Sequence, residues 1–167
     1  MKQRKETLKL VVHCAYTKSS MHIKAATVRK WHVEDNKWSD IGYHWFIRRN
    51  GFLEPGRAED LIGSHARGYN SISIAVCLAG GMSDDGKSED NFTLEQYETL
   101  REFIGNKEIQ YPDIEVLGHR DLPKVTKDCP CFSVKDKMLE WKSHLPLNQN
   151  GIPSFSDELE GVPKHEY

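Results

Sequence analysis

At 167 residues the chain has the length of one domain that can bury a proper core without disulfide staples. Its formal net charge is only -2 with acids and bases interspersed, so no electrostatic footprint for DNA, RNA or an anionic membrane stands out. The charged start, residues 1–6, runs into an apolar stretch interrupted by Lys9 and His13, which fits neither a signal peptide nor a membrane span.

Leu8, Leu10 and Val12 alternate with Lys9, Val11 and His13, which predicts a strand with His13 near its carboxyl end. Residues 23–38 place Ala26, Val28, Trp31 and His32 at mostly helical spacing, as in one amphipathic helix. Residues 43–49, then Asn50-Gly51, then Phe52-Leu53 predict a hairpin, because Asn-Gly supplies the positive φ angles of a tight turn. Residues 54–70 read as a long surface loop carrying His65. Residues 73–79 are small and apolar and end in Gly80-Gly81, the pattern of a buried central strand.

Thr93 and Gln96 form a capping box, with Leu94, Tyr97, Leu100 and Ile104 on one face of the helix that follows. A short strand over residues 114–117 leads directly into Gly118-His119-Arg120-Asp121. A third helix is expected over residues 133–144 with Val134, Met138 and Trp141 inward. The expected architecture is a single α/β domain over residues 1–146, a central mixed sheet flanked by helices, followed by a polar tail over residues 147–167 with too little apolar content to fold alone.

Without an export signal the cysteines Cys14, Cys77, Cys129 and Cys131 are expected as thiols, or one as a metal ligand, because the cytosol is reducing. His13 and His119 each follow a predicted strand, and Cys129 lies between the last strand and the last helix. Two imidazoles, a thiolate and an open position make an accepted catalytic zinc site. Spacing alone leaves the other reading open, since buried histidines and thiols are often merely packed.

Several separated motifs occur in an order that resembles one family: Val12-His13, Gly42-Tyr43-His44, Gly63-Ser64-His65-Ala66, residues 70–74 (NSISI), Gly118-His119-Arg120-Asp121 and Lys127-Asp128-Cys129-Pro130. The chain is similar to the zinc amidases that include phage lysozyme-type amidases and animal peptidoglycan-recognition proteins. The resemblance runs from about Leu10 to Trp141. It implies zinc held by His13, His119 and Cys129 in a groove at one edge of the sheet, with Tyr43 and Lys127 as the catalytic pair. It implies cleavage of the amide between N-acetylmuramic acid and L-alanine in peptidoglycan.

The absent export signal and wall-binding domain resemble a phage or prophage endolysin, a monomer made in the cytoplasm that acts on the wall after release. Two other readings belong to the same resemblance. Some members bind peptidoglycan without cutting it, typically after losing the cysteine, which this chain keeps. Cytosolic recycling amidases typically carry aspartate at the third ligand and an acidic residue at the position of Tyr43.

His65 is expected to meet substrate, by its place in the Gly-Ser-His-Ala loop. His44 should point away from Tyr43 and be packed by hydrogen bonds. Arg120 and Asp121 are expected to hold the loop after a ligand. Cys131 is expected as a buried thiol, with a redox pair with Cys14 as the alternative. His22, His32, His144 and His165 are background.

Overall fold

A computed structural model describes residues 1–143; the expected polar tail, with His144 and His165, lies outside the described residues. Strand β1 (Lys9–Cys14) is buried on both faces, with Leu10, Val11 and Val12 fully enclosed. A strand apolar on both sides needs partners on both edges and cover above and below, which parallel sheets supply. Strand β5 (Ser73–Leu78), buried along its whole length, runs parallel to β1 on one edge, and β7 (Glu115–Gly118) runs parallel on the other. Strand β3 (Trp45–Ile47) adds parallel to β5, and β4 (Leu53–Pro55) closes the edge antiparallel. The sheet is therefore mixed, in the order β4-β3-β5-β1-β7.

The β3–β4 hairpin is as expected but its tight turn is not: Gly51 is at φ 79 while Asn50 is not at positive φ, and the Gly51 N–H donates to the Arg48 carbonyl within a longer connection over residues 48–52. A second, two-stranded sheet pairs β2 (Thr17–Lys18) with β6 (Gly81–Met82); segments of two residues carry no readable alternation.

Helices lie against both faces of the sheet. Helix α1 (Ala25–Lys30) buries Ala25 and Val28 in a cluster with Phe46 and Cys77. Helix α2 (Leu94–Gln110) sets Phe103 against Trp45, with ring centroids 5.7 Å apart. Successive residues of a strand point to opposite faces, so Trp45 and Phe46 divide the two helices between the two sides of the sheet.

Two expectations about the helices are corrected. The first helix does not continue to residue 38. It passes into a π-helical turn over Trp31–Asp35, beyond which the Trp38 N–H donates to the His32 carbonyl. The inward face of α2 is formed by Gln96, Leu100, Phe103, Ile104 and Lys107, while Leu94 is 70% exposed. Leu94 is the first residue after the Thr93 cap and points off the end of the helix. The Thr93 side chain accepts from the Gln96 N–H, as the capping box requires. Gln96 can be buried because its amide donates to the carbonyls of Ile47 and Ala79.

The contacts form one compact unit over Met1–Lys135, which contains the whole sheet; a second begins at Asp136, within helix α3 (Val134–Ser143). Among the described residues no helix is long and apolar enough to cross a membrane.

Among the described residues Phe46 is the largest fully enclosed side chain, and it sits in the cluster between α1 and the sheet. Phe46→Ala is expected to destabilise the protein by about 3–5 kcal/mol, from lost transfer energy plus the cavity left behind. Urea unfolding midpoints at unchanged m-value measure it; a cost under about 1 kcal/mol would mean that the space collapses without penalty.

Candidate metal centre

The register of the parallel strands brings the ligand candidates together. Val12 of β1 pairs with Gly118 of β7, so His13 and His119 leave the carboxyl ends of neighbouring strands at the same level. Their ring centroids are 4.6 Å apart. Ligand sites in α/β folds favour this place, outside the carboxyl ends of parallel strands.

Cys129 arrives from the segment between β7 and α3, tied to its neighbours by backbone bonds. The Arg120 N–H donates to the Cys129 carbonyl at 2.7 Å, and the Cys14 N–H to the Cys129 sulfur at 3.3 Å. Asp121 accepts from the Gly118 N–H at 2.8 Å, so it holds the turn after the strand as expected.

His13 is buried and its ring is fixed from behind by a directed chain of hydrogen bonds. The Ser73 hydroxyl donates to the Tyr69 carbonyl at 2.7 Å, which leaves its oxygen to accept from His65 Nε2 at 3.3 Å. His65 Nδ1 then carries no proton and accepts from His13 Nε2 at 3.0 Å. His13 Nδ1 is left bare, 3.7 Å from the Cys129 sulfur. Burial, then the nearby His65 and His119, push the His13 pKa well down, which keeps this ring neutral and able to ligate.

Tyr43 is placed by a close backbone approach. A Cβ on Gly42 would lie 2.3 Å from the Ser64 carbonyl, so only glycine lets the Gly-Ser-His loop rest on the Tyr43 segment. The Tyr43 ring stands 5.1 Å from that of His13. Burial, then the fields of Cys77 and Cys129, raise its pKa well above 10, so the phenol is an O–H donor at neutral pH. His119 has a lowered pKa through burial and, second, the positive charge of Lys127. That coupling marks the ammonium as a neighbour of the ligand candidate.

His13, Tyr43, His65, His119, Lys127 and Cys129 line one open pocket of about 660 Å³. All six expected site residues therefore meet in one place. The donor atoms of His13, His119 and Cys129 lie within 4.8 Å of one another. Tetrahedral zinc, with Zn–S of about 2.3 Å and Zn–N of about 2.0–2.1 Å, needs nitrogen and sulfur about 3.6 Å apart. The 3.7 Å between His13 Nδ1 and the Cys129 sulfur matches that edge, so the donor set fits the ion. His44 is spent elsewhere: its Nδ1 accepts from the Ala75 N–H and its Nε2 donates to the Leu61 carbonyl, the packing role expected of it.

Four contributors were not legible in the sequence. His32, read as background, accepts from the Gly42 N–H at 3.0 Å and so steadies the segment that carries Tyr43. Tyr16, just after β1, and Trp38, expected as the end of the first helix, line the pocket from irregular segments. Ser73 belongs to the expected strand, but its bond to His65 depends on how the loop folds back.

Comparison with known proteins follows the same outline. The family described as N-acetylmuramoyl-L-alanine amidase matches residues 3–132. The endolysin of Klebsiella phage KP32 is 42% identical over 133 residues, 80% of this chain and 86% of the relative. The endolysin of Escherichia phage T7 is 42% identical over 134 residues, 80% of this chain and 87% of the relative. Among solved structures, the N-acetylmuramoyl-L-alanine amidase LysC from Clostridium intestinale superposes with a TM-score of 0.69 at 21% identity, covering 84% of this chain and 93% of that one, a likeness of fold.

Proposed function

The chain belongs to the N-acetylmuramoyl-L-alanine amidase family, and from that premise we propose that it is an endolysin whose pocket cuts the amide between N-acetylmuramic acid and L-alanine by means of zinc held on His13, His119 and Cys129. The observation that carries the reading is the meeting of these three donors with Lys127 in one open pocket. Zinc bound there supplies Lewis acidity, lowering the pKa of water from about 15.7 towards 7.

The chain's own residues supply the rest. Attack on the lactyl carbonyl moves negative charge onto its oxygen, and the Lys127 ammonium at the pocket wall stabilises that charge where it develops. Tyr43, kept protonated by burial, donates its O–H to orient the attacking water. His65 meets substrate through the ring edge that lines the pocket, while its two nitrogens hold His13 and Ser73. The open pocket suits a glycan with peptide branches, reached after synthesis in the cytoplasm and release to the wall.

Digestion of purified peptidoglycan followed by mass spectrometry tests the reaction. Free stem peptides beginning with L-alanine are expected. Glycan fragments with stems still attached, or bound but uncut wall, would overturn it.

His65→Ala is expected to weaken zinc affinity about tenfold to a hundredfold, because it removes the acceptor that leaves His13 Nδ1 bare towards the centre. Competition with a chromogenic chelator measures it. Unchanged affinity with a raised KM would assign His65 to substrate alone.

A further inference from the structure

Two thiols that the catalytic reading leaves unused face each other beside the centre. The sulfurs of Cys14, at the end of β1, and Cys131, two residues past Cys129, stand 3.6 Å apart, and neither belongs to the zinc donor set. Their approach is held by the backbone of Gly81: a Cβ there would lie 2.7 Å from the Cys14 sulfur and 3.3 Å from that of Cys131. The Cys131 thiol donates to the Gly81 carbonyl at 3.1 Å. Cys131 itself stands at φ 74, with its N–H donating to the Asp128 carbonyl, which turns its side chain away from Cys129 and towards β1.

We propose that Cys14 and Cys131 are a disulfide site: on meeting a disulfide oxidant they close a cross-link that ties β1 to the segment carrying Cys129. A sulfur–sulfur bond is about 2.05 Å, so the pair must close by about 1.5 Å. A change in the Cys131 side-chain torsion supplies that movement, since this residue is only half-buried whereas Cys14 is enclosed.

The order of events follows from exposure. The Cys131 sulfur attacks the oxidant's disulfide and expels one thiol. The Cys14 sulfur then attacks the Cys131 sulfur of the mixed disulfide and expels the second. Two thiol protons leave with the two released thiols, and the two electrons reduce the oxidant. The reduced pair belongs to a cytoplasmic protein, and the closed pair to one that has passed into an oxidising compartment. The cross-link does not depend on zinc, because both ligating histidines and Cys129 remain outside it.

The test uses the purified full-length chain, equilibrated with glutathione at increasing ratios of disulfide to thiol and then trapped with N-ethylmaleimide. Peptide mass spectrometry is expected to find a peptide joining Cys14 to Cys131, with Cys77 and Cys129 alkylated after denaturation. The melting temperature of the oxidised form should rise by about 5 °C or more, because the bond closes a loop of over a hundred residues. Cys131→Ser should show neither the cross-link nor the rise. Four alkylated thiols at every ratio, glutathione retained on Cys131 without ring closure, or a cross-link to Cys129 would each overturn the assignment. An unchanged melting temperature in the cross-linked protein would overturn the tie between β1 and the Cys129 segment.

Discussion

Lys127→Ala and Tyr43→Phe are each expected to lower turnover on purified peptidoglycan by about a hundredfold to a thousandfold, with zinc content and melting temperature close to wild type. Neither side chain is among the donors that converge, and both line the pocket, so the loss should fall on the reaction step. Lys127 supplies a fixed positive charge, and its removal should slow the reaction at every pH. Tyr43 is a neutral donor through the working range because burial holds its proton, so Tyr43→Phe should scale the pH profile without moving its limbs. A shifted limb would show that the phenol exchanges a proton during turnover.

One further readout ties Lys127 to its place. Its charge lowers the His119 pKa, second to burial. In metal-free protein, His119 should therefore titrate higher in Lys127→Ala than in wild type, which NMR of the imidazole protons can follow. Near-wild-type turnover in both variants, at equal zinc content, would remove both side chains from the reaction step.

Legibility in the sequence followed the range of the interaction. The Thr93–Gln96 capping box, the hairpin around Asn50-Gly51 and the apolar run of β5 are settled by neighbours within a few residues, and all three stand where the pattern put them. The π-helical turn at Trp31–Asp35 depends on partners farther along the chain, through Gly42 and Trp38, and helical periodicity does not see them. The burial of Gln96 rather than Leu94 likewise depends on the carbonyls of Ile47 and Ala79, both distant in sequence.

The site divides in the same way. Motif resemblance named His13, Tyr43, His65, His119, Lys127 and Cys129, but composition and spacing had no access to the register that sets Val12 beside Gly118. That register is what makes neighbours of two histidines a hundred residues apart. The direction of the Ser73–His65–His13 chain was also invisible, because it rests on the Ser73 hydroxyl being committed to the Tyr69 carbonyl.

Chelation of the purified protein should abolish hydrolysis, and added zinc should restore it. Cys129→Ser should lose most of its zinc and fall to background turnover that added zinc does not rescue. The physical reason is the size of the donor set. A catalytic zinc site keeps three protein ligands and one open position, and among the described residues His13, His119 and Cys129 are the group whose donors converge. With Cys129 removed, two of the three converging donors remain, and a serine hydroxyl, neutral at pH 7, does not replace a thiolate. Cys129→Asp offers the finer comparison, since a carboxylate is an accepted zinc ligand and carries the same charge. It should keep measurable zinc while binding it less tightly than wild type, because the 3.7 Å spacing to His13 Nδ1 matches the longer reach of sulfur. Metal analysis of the three proteins beside their turnover reads this directly. Full metal content and full turnover in Cys129→Ser would mean that the ligand set is wrong.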